Sequence, residues 1–229
     1  MATGENGARR VALGMSGGVD SAVSAALLMR AGYEVVGVTC RFTDDAAADR
    51  AAGDAAAVCA RLGLRHVERD CAALFESAVV QPFVDAYAAG LTPSPCVGCN
   101  ACCKLPSLLA AADELGCESV ATGHYARIAQ LADNGRYVVK CALDARKDQS
   151  YMLALGGTTK AEVRVLAADL GLPVAEKPES QDVCFIEGDY RAFLRARGVD
   201  DRPGAIVDCA GAVLGRHGGL ANYTVGQGK

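Results

Sequence analysis

The sequence Val-Ala-Leu-Gly-Met-Ser-Gly-Gly-Val-Asp-Ser, at residues 11–21, decides the fold. Its first three residues form a short apolar run, which is typical of a buried strand. Apolar residues then recur at helical spacing from Val19 through Val23 to Leu27, and Gly32 supplies a helix stop. A strand that leads through a glycine-rich turn into a helix predicts the first strand–helix unit of a parallel sheet.

The alternation of strand and helix continues along the chain. Further strands are expected at residues 35–38, 66–68 and 119–122, and further helices at residues 46–62, 74–89 and 105–115. Strands separated by helices of this length predict an α/β fold in which helices cover both faces of a parallel sheet.

The pattern changes towards the end of the chain. A short helix is expected at residues 190–197, followed by a small hairpin formed by residues 205–208 and 212–214. A segment of roughly 40 residues seldom builds a stable core alone. We therefore predict one catalytic domain over residues 1–187 and the β-rich opening of an incomplete central domain over residues 188–229.

Composition excludes several classes of protein. Hydrophobic residues make up 51% and charged residues 22% of the chain, a globular balance that disfavours disorder. No apolar run approaches the ~20 residues that cross a bilayer, and the first ten residues lack the apolar core of a signal peptide. A cytoplasmic protein without a membrane partner is expected. In that reducing compartment the 11 cysteines indicate metal ligands or reactive thiols before disulfides.

The turn after the first strand predicts a phosphate site. Adjacent glycines, Gly17 and Gly18, let the backbone approach an anion, and the following helix N-terminus favours negative charge. Ser16 and Ser21 add hydroxyl donors, and Asp20 is suited to Mg²⁺. The lysine of a Walker-type loop is absent. The alternative is a simple glycine turn with Asp20 as helix cap, but the strand-to-helix position favours the phosphate loop.

Four further motifs concentrate chemistry outside this loop. Residues 90–100 form a two-proline loop that delivers the pair Cys96-x-x-Cys99 to a helix start. Thr-Gly-His-Tyr at residues 122–125 follows a strand end, where α/β proteins usually bind ligands. Lys-Asp-Gln-Ser at residues 147–150 is a charged loop, and Ser-Gln-Asp-Val-Cys-Phe at residues 180–185 supplies a distant cysteine.

Together with the glycine-rich loop, these motifs closely resemble the tRNA-specific 2-thiouridylase family of PP-loop ATP pyrophosphatases. The resemblance runs from about Val11 to the last residue and includes residues 215–219 and 223–227. It implies a fold of the adenine nucleotide α-hydrolase type. It also implies thiolation of the wobble uridine of tRNA at C2, in which ATP adenylates the base oxygen and a sulfur nucleophile displaces AMP.

The resemblance also implies roles for individual residues. ATP, with Mg²⁺, would contact Gly14, Met15, Ser16, Gly17, Gly18, Val19, Asp20, Ser21, Cys40 and Gly123. Ser94, Pro95 and Cys96 would face the target base, and Lys147, Asp148 and Gln149 would touch the tRNA. Cys99 and Cys184 match the two thiols of the reaction centre. The implied partners are tRNA and a sulfur donor, either a protein or sulfide.

The residue at position 96 bears on the source of sulfur. A well-known branch of the family has an Asp there and is described as using a persulfide on the cysteine equivalent to Cys184, with Cys99 then closing a disulfide. Here Cys96 creates a Cys-x-x-Cys pair with a distant third cysteine. Three thiolates can hold a [4Fe-4S] cluster with one iron open to sulfide. Our prediction is such a cluster on Cys96, Cys99 and Cys184, with the persulfide route as the alternative.

The remaining cysteines and histidines are assigned positions outside the reaction centre. Cys102 and Cys103 extend the pattern towards ferredoxin or zinc ligation, although we favour small apolar residues on a buried helix face. Core positions are expected for Cys59, Cys71, Cys117, Cys141 and Cys209. His66 is expected to be structural, and no role as a general base is assigned to His124 or His217.

Departures from the family pattern leave other functions open. The resemblance implies a complete central domain and a C-terminal β-barrel, and we expect the first to be incomplete and the second to be absent here. The family also has an Arg where Gly228 stands and a further short stretch after Leu153. The net charge of −4 is also unlike that of a dedicated RNA binder. The alternatives to a thiolase are an ATP-binding domain, with or without a cluster, that modifies no tRNA, another PP-loop adenylating enzyme, and an iron–sulfur or zinc protein.

Overall fold

A four-stranded parallel sheet forms the centre of the computed structural model, which describes residues 9–133, 135–150, 160–174, 183–186 and 188–224. Its strands are β1 Arg10–Gly14, β2 Glu34–Arg41, β3 Arg65–Asp70 and β4 Ser119–Ala121. They lie in the order β3-β2-β1-β4, and every pairing is parallel. The prediction of a parallel α/β sheet is confirmed.

Helices follow the strands as the sequence pattern predicts. The α-helices are α1 Val19–Arg30, α2 Ala46–Leu62, α3 Ala72–Phe75, α4 Gln81–Ala88, α5 Pro95–Gly98, α6 Leu105–Leu115, α7 Lys160–Asp169 and α8 Tyr190–Ala196. Two π-helical segments interrupt this pattern, Glu76–Val80 between α3 and α4 and Cys99–Lys104 between α5 and α6. The single helix expected at residues 74–89 is therefore three consecutive segments.

The ends of α2 show why its predicted bounds match the structure. The Asp45 carboxylate accepts a hydrogen bond from the Ala48 amide at 2.8 Å and caps the first turn. Gly63 follows the helix in the left-handed conformation, with φ of 68°, which ends it. Both signals are local and therefore visible in the sequence.

Alternating residues of β1 show that both faces of the sheet are covered. Val11 and Leu13 belong to a buried cluster with residues of α1 and α2. Ala12, which points to the opposite face, packs with Leu108 and Ala111 of α6. The apolar run in β1 is continuous because neither of its faces meets water.

Two antiparallel ribbons lie outside the sheet. Strands β5 Arg127–Gln130 and β6 Tyr137–Lys140 form one hairpin, which the sequence pattern did not predict. Strands β7 Gly204–Val207 and β8 Val213–His217 form the second, close to its predicted position. A 3₁₀-helix follows at Leu220–Asn222.

The chain divides into two compact units. The first comprises described parts of residues 1–72 and 104–179 and contains the sheet, whereas the second comprises described parts of residues 73–103 and 180–229. The second has its own buried cluster, formed by Phe83, Val84, Tyr87, Leu194 and Val199. The predicted domain boundary after residue 187 stays a prediction. In the described part of the chain, no helix has the length and apolar character to traverse a bilayer.

Candidate active site

The turn after β1 is tied to the neighbouring strand. The Met15 amide donates to the Val38 carbonyl at 2.8 Å, and the Thr39 hydroxyl donates to the Met15 carbonyl at 2.9 Å. Because that hydroxyl has one proton, its 2.8 Å contact with His66 Nε2 requires the imidazole to donate. Burial lowers the pKa of His66 and favours its neutral form, which is consistent with the expected structural role.

Gly17 permits a close approach that no other residue allows. Its φ is +67°, in the left-handed region. A Cβ added there would lie 2.3 Å from the carbonyl oxygen of Ala51 on α2. The glycine loop (residues 15–18) is therefore held between β1, β2 and α2.

The start of α1 leaves its amides directed at the glycine loop. The N-cap is Gly18, which has no side chain to cap them, so Asp20 is not the cap. Ser21 Oγ donates to the Gly18 carbonyl at 3.0 Å and accepts from the Ser16 amide at 3.3 Å. Helix amides, the helix dipole and serine hydroxyls at one point fit an anion such as a phosphate group.

Tyr125 contacts the acidic residue of this turn. It is 2% exposed, and its hydroxyl donates to Asp20 Oδ1 at 3.0 Å. Gly123 lies against the same turn, because a Cβ there would be 2.8 Å from the Ser21 amide nitrogen. Since a carboxylate is a hard oxygen ligand, Asp20 fits Mg²⁺ bound to a nucleotide.

The residues predicted to contact ATP gather at one edge of the sheet. Gly14 ends β1 and residues 15–21 follow it, Cys40 lies near the end of β2, and Gly123 follows β4. Cys40 is half-buried and pairs with Arg69 of β3. In parallel α/β sheets the carboxyl edge is the usual place for ligands.

The charged loop at residues 147–150 joins the same site through Tyr125. The Gln149 amide donates to the Tyr125 carbonyl at 2.7 Å, and the Tyr125 amide donates to Gln149 Oε1 at 3.2 Å. The Asp148 carboxylate accepts from Ser150 Oγ at 2.6 Å and from the Ala142 amide at 2.7 Å. These bonds lower the pKa of Asp148 and keep it ionised.

The Lys147 amide donates to the Asp144 carbonyl at 3.0 Å, which holds the turn that begins the loop. Two of the predicted groups, the ATP contacts and the Lys147, Asp148 and Gln149 segment, are thus brought together within the first unit. Their proposed ligands remain predictions.

His124 is held as a neutral imidazole. Its Nδ1 lies 2.8 Å from Thr122 Oγ1. Burial, with a further contribution from the Lys104 charge, lowers the pKa of His124 to about 4. At neutral pH the ring is a hydrogen-bonding group and carries no charge.

The predicted reactive cysteines lie in the second unit. Cys96 is exposed on α5, as is Ser94 before it, while Pro95 is half-buried. Cys99 is 7% exposed and begins a π-helical segment, a feature frequent at functional sites. Cys184 is exposed in a turn closed by the Ile186 amide, which donates to the Val183 carbonyl at 3.0 Å.

The same helical run anchors both cysteine segments, residues 95–104 and 183–186. The ring of Phe185 lies with its centroid 5.5 Å from that of Phe75 and 5.3 Å from that of Phe83. The α5 turn packs against the π-helical segment Glu76–Val80, which lies between Phe75 and Phe83 in the sequence. Aromatic packing therefore positions the residue that follows Cys184.

The described residues form no site for a single metal ion. Among the described residues, which include Cys96, Cys99 and Cys184, no three His, Cys, Asp or Glu side chains lie close enough to hold a metal ion. The [4Fe-4S] cluster predicted on Cys96, Cys99 and Cys184 stays a prediction, and we derive no step from it.

The other cysteines divide by exposure. Cys59, Cys71 and Cys103 are buried as predicted, and burial raises the pKa of the Cys59 thiol to about 11. The prediction of buried positions is wrong for Cys102, Cys141 and Cys209, which are exposed. Cys141 follows the uncovered strand β6 and Cys209 lies in the turn of the β7–β8 hairpin, so neither reaches a core. Cys117 is half-buried beside the α6 cluster.

Three residues support the site although the sequence did not predict them as site residues. Thr39 and His66 support the glycine loop from two neighbouring strands, and Tyr125 joins the first turn of α1 to the 147–150 loop. Only Tyr125 carried a usable signal, because a tyrosine buried at a strand end needs a partner for its hydroxyl.

Comparison with known families agrees with the resemblance described above. Residues 9–188 match the model of the tRNA methyl transferase HUP domain, and residues 191–229 match that of the tRNA methyl transferase PRC-barrel domain. Among solved structures, the U34-tRNA thiolase NcsA from Methanococcus maripaludis, with its [4Fe-4S] cluster, has a TM-score of 0.48 at 16% identity, covering 82% of this chain and 64% of that one. So distant a similarity says nothing about the present site.

Curated relatives are much closer in sequence. The tRNA-specific 2-thiouridylase MnmA of Pelotomaculum thermopropionicum is 41% identical, covering 95% of this chain and 67% of the relative. That of Azorhizobium caulinodans is 46% identical, covering 96% of this chain and 62% of the relative. The chain thus spans about two thirds of the length of these relatives or slightly less. The chain belongs to the tRNA-specific 2-thiouridylase (MnmA) family.

Proposed function

We propose that this chain is a sulfurtransferase that uses ATP to replace the C2 oxygen of a tRNA wobble uridine with sulfur. The observation that carries the proposal is that Tyr125 joins the first turn of α1, directly after the glycine loop, to the 147–150 loop. A phosphate-binding turn and a loop suited to polynucleotide contacts thereby share one site. Family membership supports tRNA as the substrate.

The first step is adenylation of the uridine. The base O2 attacks the α-phosphorus of ATP, pyrophosphate leaves, and O2 becomes part of an AMP leaving group. The first-turn amides of α1 and the hydroxyls of Ser16 and Ser21 hold the phosphates. Asp20 would hold Mg²⁺, which offsets phosphate charge when bound. The role of these groups is to position the α-phosphorus and stabilise the charge that develops there.

The second step is the transfer of sulfur by the cysteines of the second unit. A persulfide on the exposed Cys184 is consistent with a donor that must reach this thiol from solution. Its terminal sulfur attacks C2 and displaces AMP. The Cys99 thiolate then attacks the Cys184 sulfur, which releases 2-thiouridine and leaves a Cys99–Cys184 disulfide. A dithiol reductant restores both thiols for the next turnover.

Position 96 remains the point at which a cluster route would differ. If Cys96, Cys99 and Cys184 held a cluster, thiolation would require iron and would not oxidise Cys99. Iron-free protein is expected to thiolate with sulfur bound as persulfide. Iron content and activity after anaerobic reconstitution separate the two routes.

The test of the proposed function is the fate of ATP in the presence of tRNA. We expect equal amounts of AMP, pyrophosphate and 2-thiouridine from an unmodified transcript whose wobble base is uridine. Cys184→Ser should abolish 2-thiouridine but keep ATP binding. ADP and phosphate as products would contradict the chemistry. Tight ATP binding without tRNA-dependent pyrophosphate release would instead identify an ATP-binding domain that does not modify tRNA.

A further inference from the structure

Tyr125 is the residue at which three separate motifs of the first unit meet. Its hydroxyl donates to Asp20 Oδ1 at 3.0 Å, and its main chain forms two hydrogen bonds with Gln149. Asp20 and Tyr125 are 105 positions apart in sequence, and Tyr125 and Gln149 are 24 apart. Chain connectivity alone does not place them together, so these contacts link the first turn of α1, directly after the glycine loop, to the 147–150 loop.

The link between Gln149 and Asp20 consists of one residue, Tyr125, whose ring is buried. With 2% of its surface exposed, the Tyr125 ring belongs to the core cluster that also contains Val19 and Val23 of α1. A buried ring cannot swing aside without opening a cavity in a close-packed interior. A displacement of the Gln149 main chain is therefore passed to the Tyr125 main chain and, through its ring, to the hydroxyl that contacts Asp20.

The segment that contains Tyr125 also lies against the first turn of α1. Gly123, two residues before Tyr125, is so close to the first turn of α1 that a Cβ would lie 2.8 Å from the Ser21 amide nitrogen. The Ser21 hydroxyl in turn bonds to Ser16 and Gly18. The segment containing Tyr125 thus touches both the carboxylate and the amides that the proposed ATP site uses.

We propose that Tyr125 is a positioning residue that couples occupancy of the 147–150 loop by RNA to the placement of the Asp20 carboxylate at the ATP site. The inference rests on the proposed function and deepens it. RNA that fixes Gln149 fixes the Asp20 contact, so nucleotide and its Mg²⁺ bind more tightly when RNA is present. By linkage, the nucleotide must strengthen RNA binding by the same factor.

The experiment is a binding cycle with Tyr125→Phe, which keeps the ring and removes the hydroxyl. The nucleotide probe is α,β-methylene-ATP, which cannot release pyrophosphate, and the RNA probe is the unmodified tRNA transcript. The matched control is Tyr33→Phe. It removes the same atom, whose contact is with Arg9 at 3.2 Å before the start of β2, away from the carboxyl edge of the sheet.

In the wild type we expect tRNA to tighten analogue binding about tenfold, within the usual range of coupling between two sites. In Tyr125→Phe the tightening should fall to within about twofold of unity, with unchanged affinity for tRNA alone, whereas Tyr33→Phe should retain it. Without RNA, the Mg²⁺ concentration for half-maximal analogue binding should rise several-fold only in Tyr125→Phe. A hydroxyl with a merely structural role would lower the melting temperature and leave both readouts unchanged.

Two results would overturn the inference: wild-type protein without tightening by tRNA, or Tyr125→Phe with wild-type tightening and Mg²⁺ dependence. Different results would refute the proposed function. Wild-type protein that forms 2-thiouridine without coupling refutes only the role of Tyr125. Protein that neither binds nor thiolates tRNA refutes the proposed function, and the Mg²⁺ titration without RNA still tests the Tyr125–Asp20 contact.

Discussion

The glycine loop of the first unit and the cysteine segments of the second are positioned by different kinds of interaction. Hydrogen bonds from Thr39 and to Val38 hold Met15, and Gly17 lies against the Ala51 carbonyl. The turn that carries Cys184 is instead anchored by the ring of Phe185 among other aromatic rings. One region depends on polar contacts with strict geometry and the other on apolar packing.

The difference matches what each chemistry demands. Phosphate binding by backbone amides requires those amides at defined positions before the ligand arrives. A thiol that takes up sulfur and passes it on must be accessible, and Cys184 is exposed. Four predictions test the contrast, beginning with the largest expected effect.

Gly17→Ala should weaken ATP binding by the glycine loop. The new Cβ would meet the Ala51 carbonyl at 2.3 Å in a backbone conformation that alanine disfavours. We expect the affinity for ATP to fall about hundredfold, or about 3 kcal/mol, measured by calorimetry. Gly53→Ala on α2 is the control, because a Cβ there meets nothing within 4 Å. Gly17→Ala with wild-type affinity would show that the loop does not bind phosphate.

Phe185→Ala should destabilise the second unit and leave ATP binding by the first unit unchanged. Loss of a partly buried ring that contacts Phe75, Phe83 and Phe193 should cost about 3 kcal/mol in the free energy of unfolding of this unit. ATP affinity should remain within about twofold of wild type, a difference under about 0.5 kcal/mol. Urea unfolding measures the loss, and Leu214→Ala, at a side chain 69% exposed, is the control. An equal loss in both variants would refute anchoring by Phe185.

Acid should destabilise the first unit through His124. Its pKa is about 4 in the folded chain and 6.5 ordinarily, so unfolding takes up a proton between these values. The stability due to the neutral ring is complete above pH 6.5 and is lost as the pH falls towards 4. Between pH 7 and pH 5 we expect a loss of about 2 kcal/mol in the free energy of unfolding. His124→Gln should remove this part of the pH dependence, and an unchanged slope would contradict the assignment.

Thr39→Val should loosen the glycine loop without disrupting it. The substitution keeps the shape and deprives the Met15 carbonyl and His66 Nε2 of their shared partner. Thermal unfolding should show a loss of about 1–2 kcal/mol, and ATP affinity should decrease. Ser77→Ala, which removes an exposed hydroxyl, is the control. If both variants behave alike, the Thr39 bond does not support the loop.

Local signals in the sequence predicted much of the fold. The bounds of α2 and α6 are as expected because their ends carry glycine stops, Gly63 and Gly116, in the left-handed conformation. The β5–β6 hairpin was missed because Ile128, Tyr137 and Val139 are exposed, so no alternation of apolar and polar residues marks its strands. The π-helical segments were missed because a change in hydrogen-bond spacing leaves no signature in composition.

The sequence predicted the candidate site only in part, because the residues that form it are far apart along the chain. Motifs identified Asp20 and Gln149 individually, but their connection through Tyr125 spans 105 and 24 residues and exists only in the folded chain. The cluster predicted on Cys96, Cys99 and Cys184 also depends on a residue far along the chain, and it stays a prediction. Among the described residues, no three His, Cys, Asp or Glu side chains lie close enough to hold a single metal ion.

The most direct test of the central claim is to count 2-thiouridine in tRNA. Anaerobically purified protein, kept free of iron, is incubated with an unmodified wobble-uridine transcript, ATP, Mg²⁺ and a persulfide-generating sulfur donor, and the digested tRNA is analysed by mass spectrometry. The proposal predicts 2-thiouridine from the wild type and none from Gly17→Ala or Cys184→Ser. The absence of 2-thiouridine with wild-type protein, both iron-free and after iron–sulfur reconstitution, would contradict it.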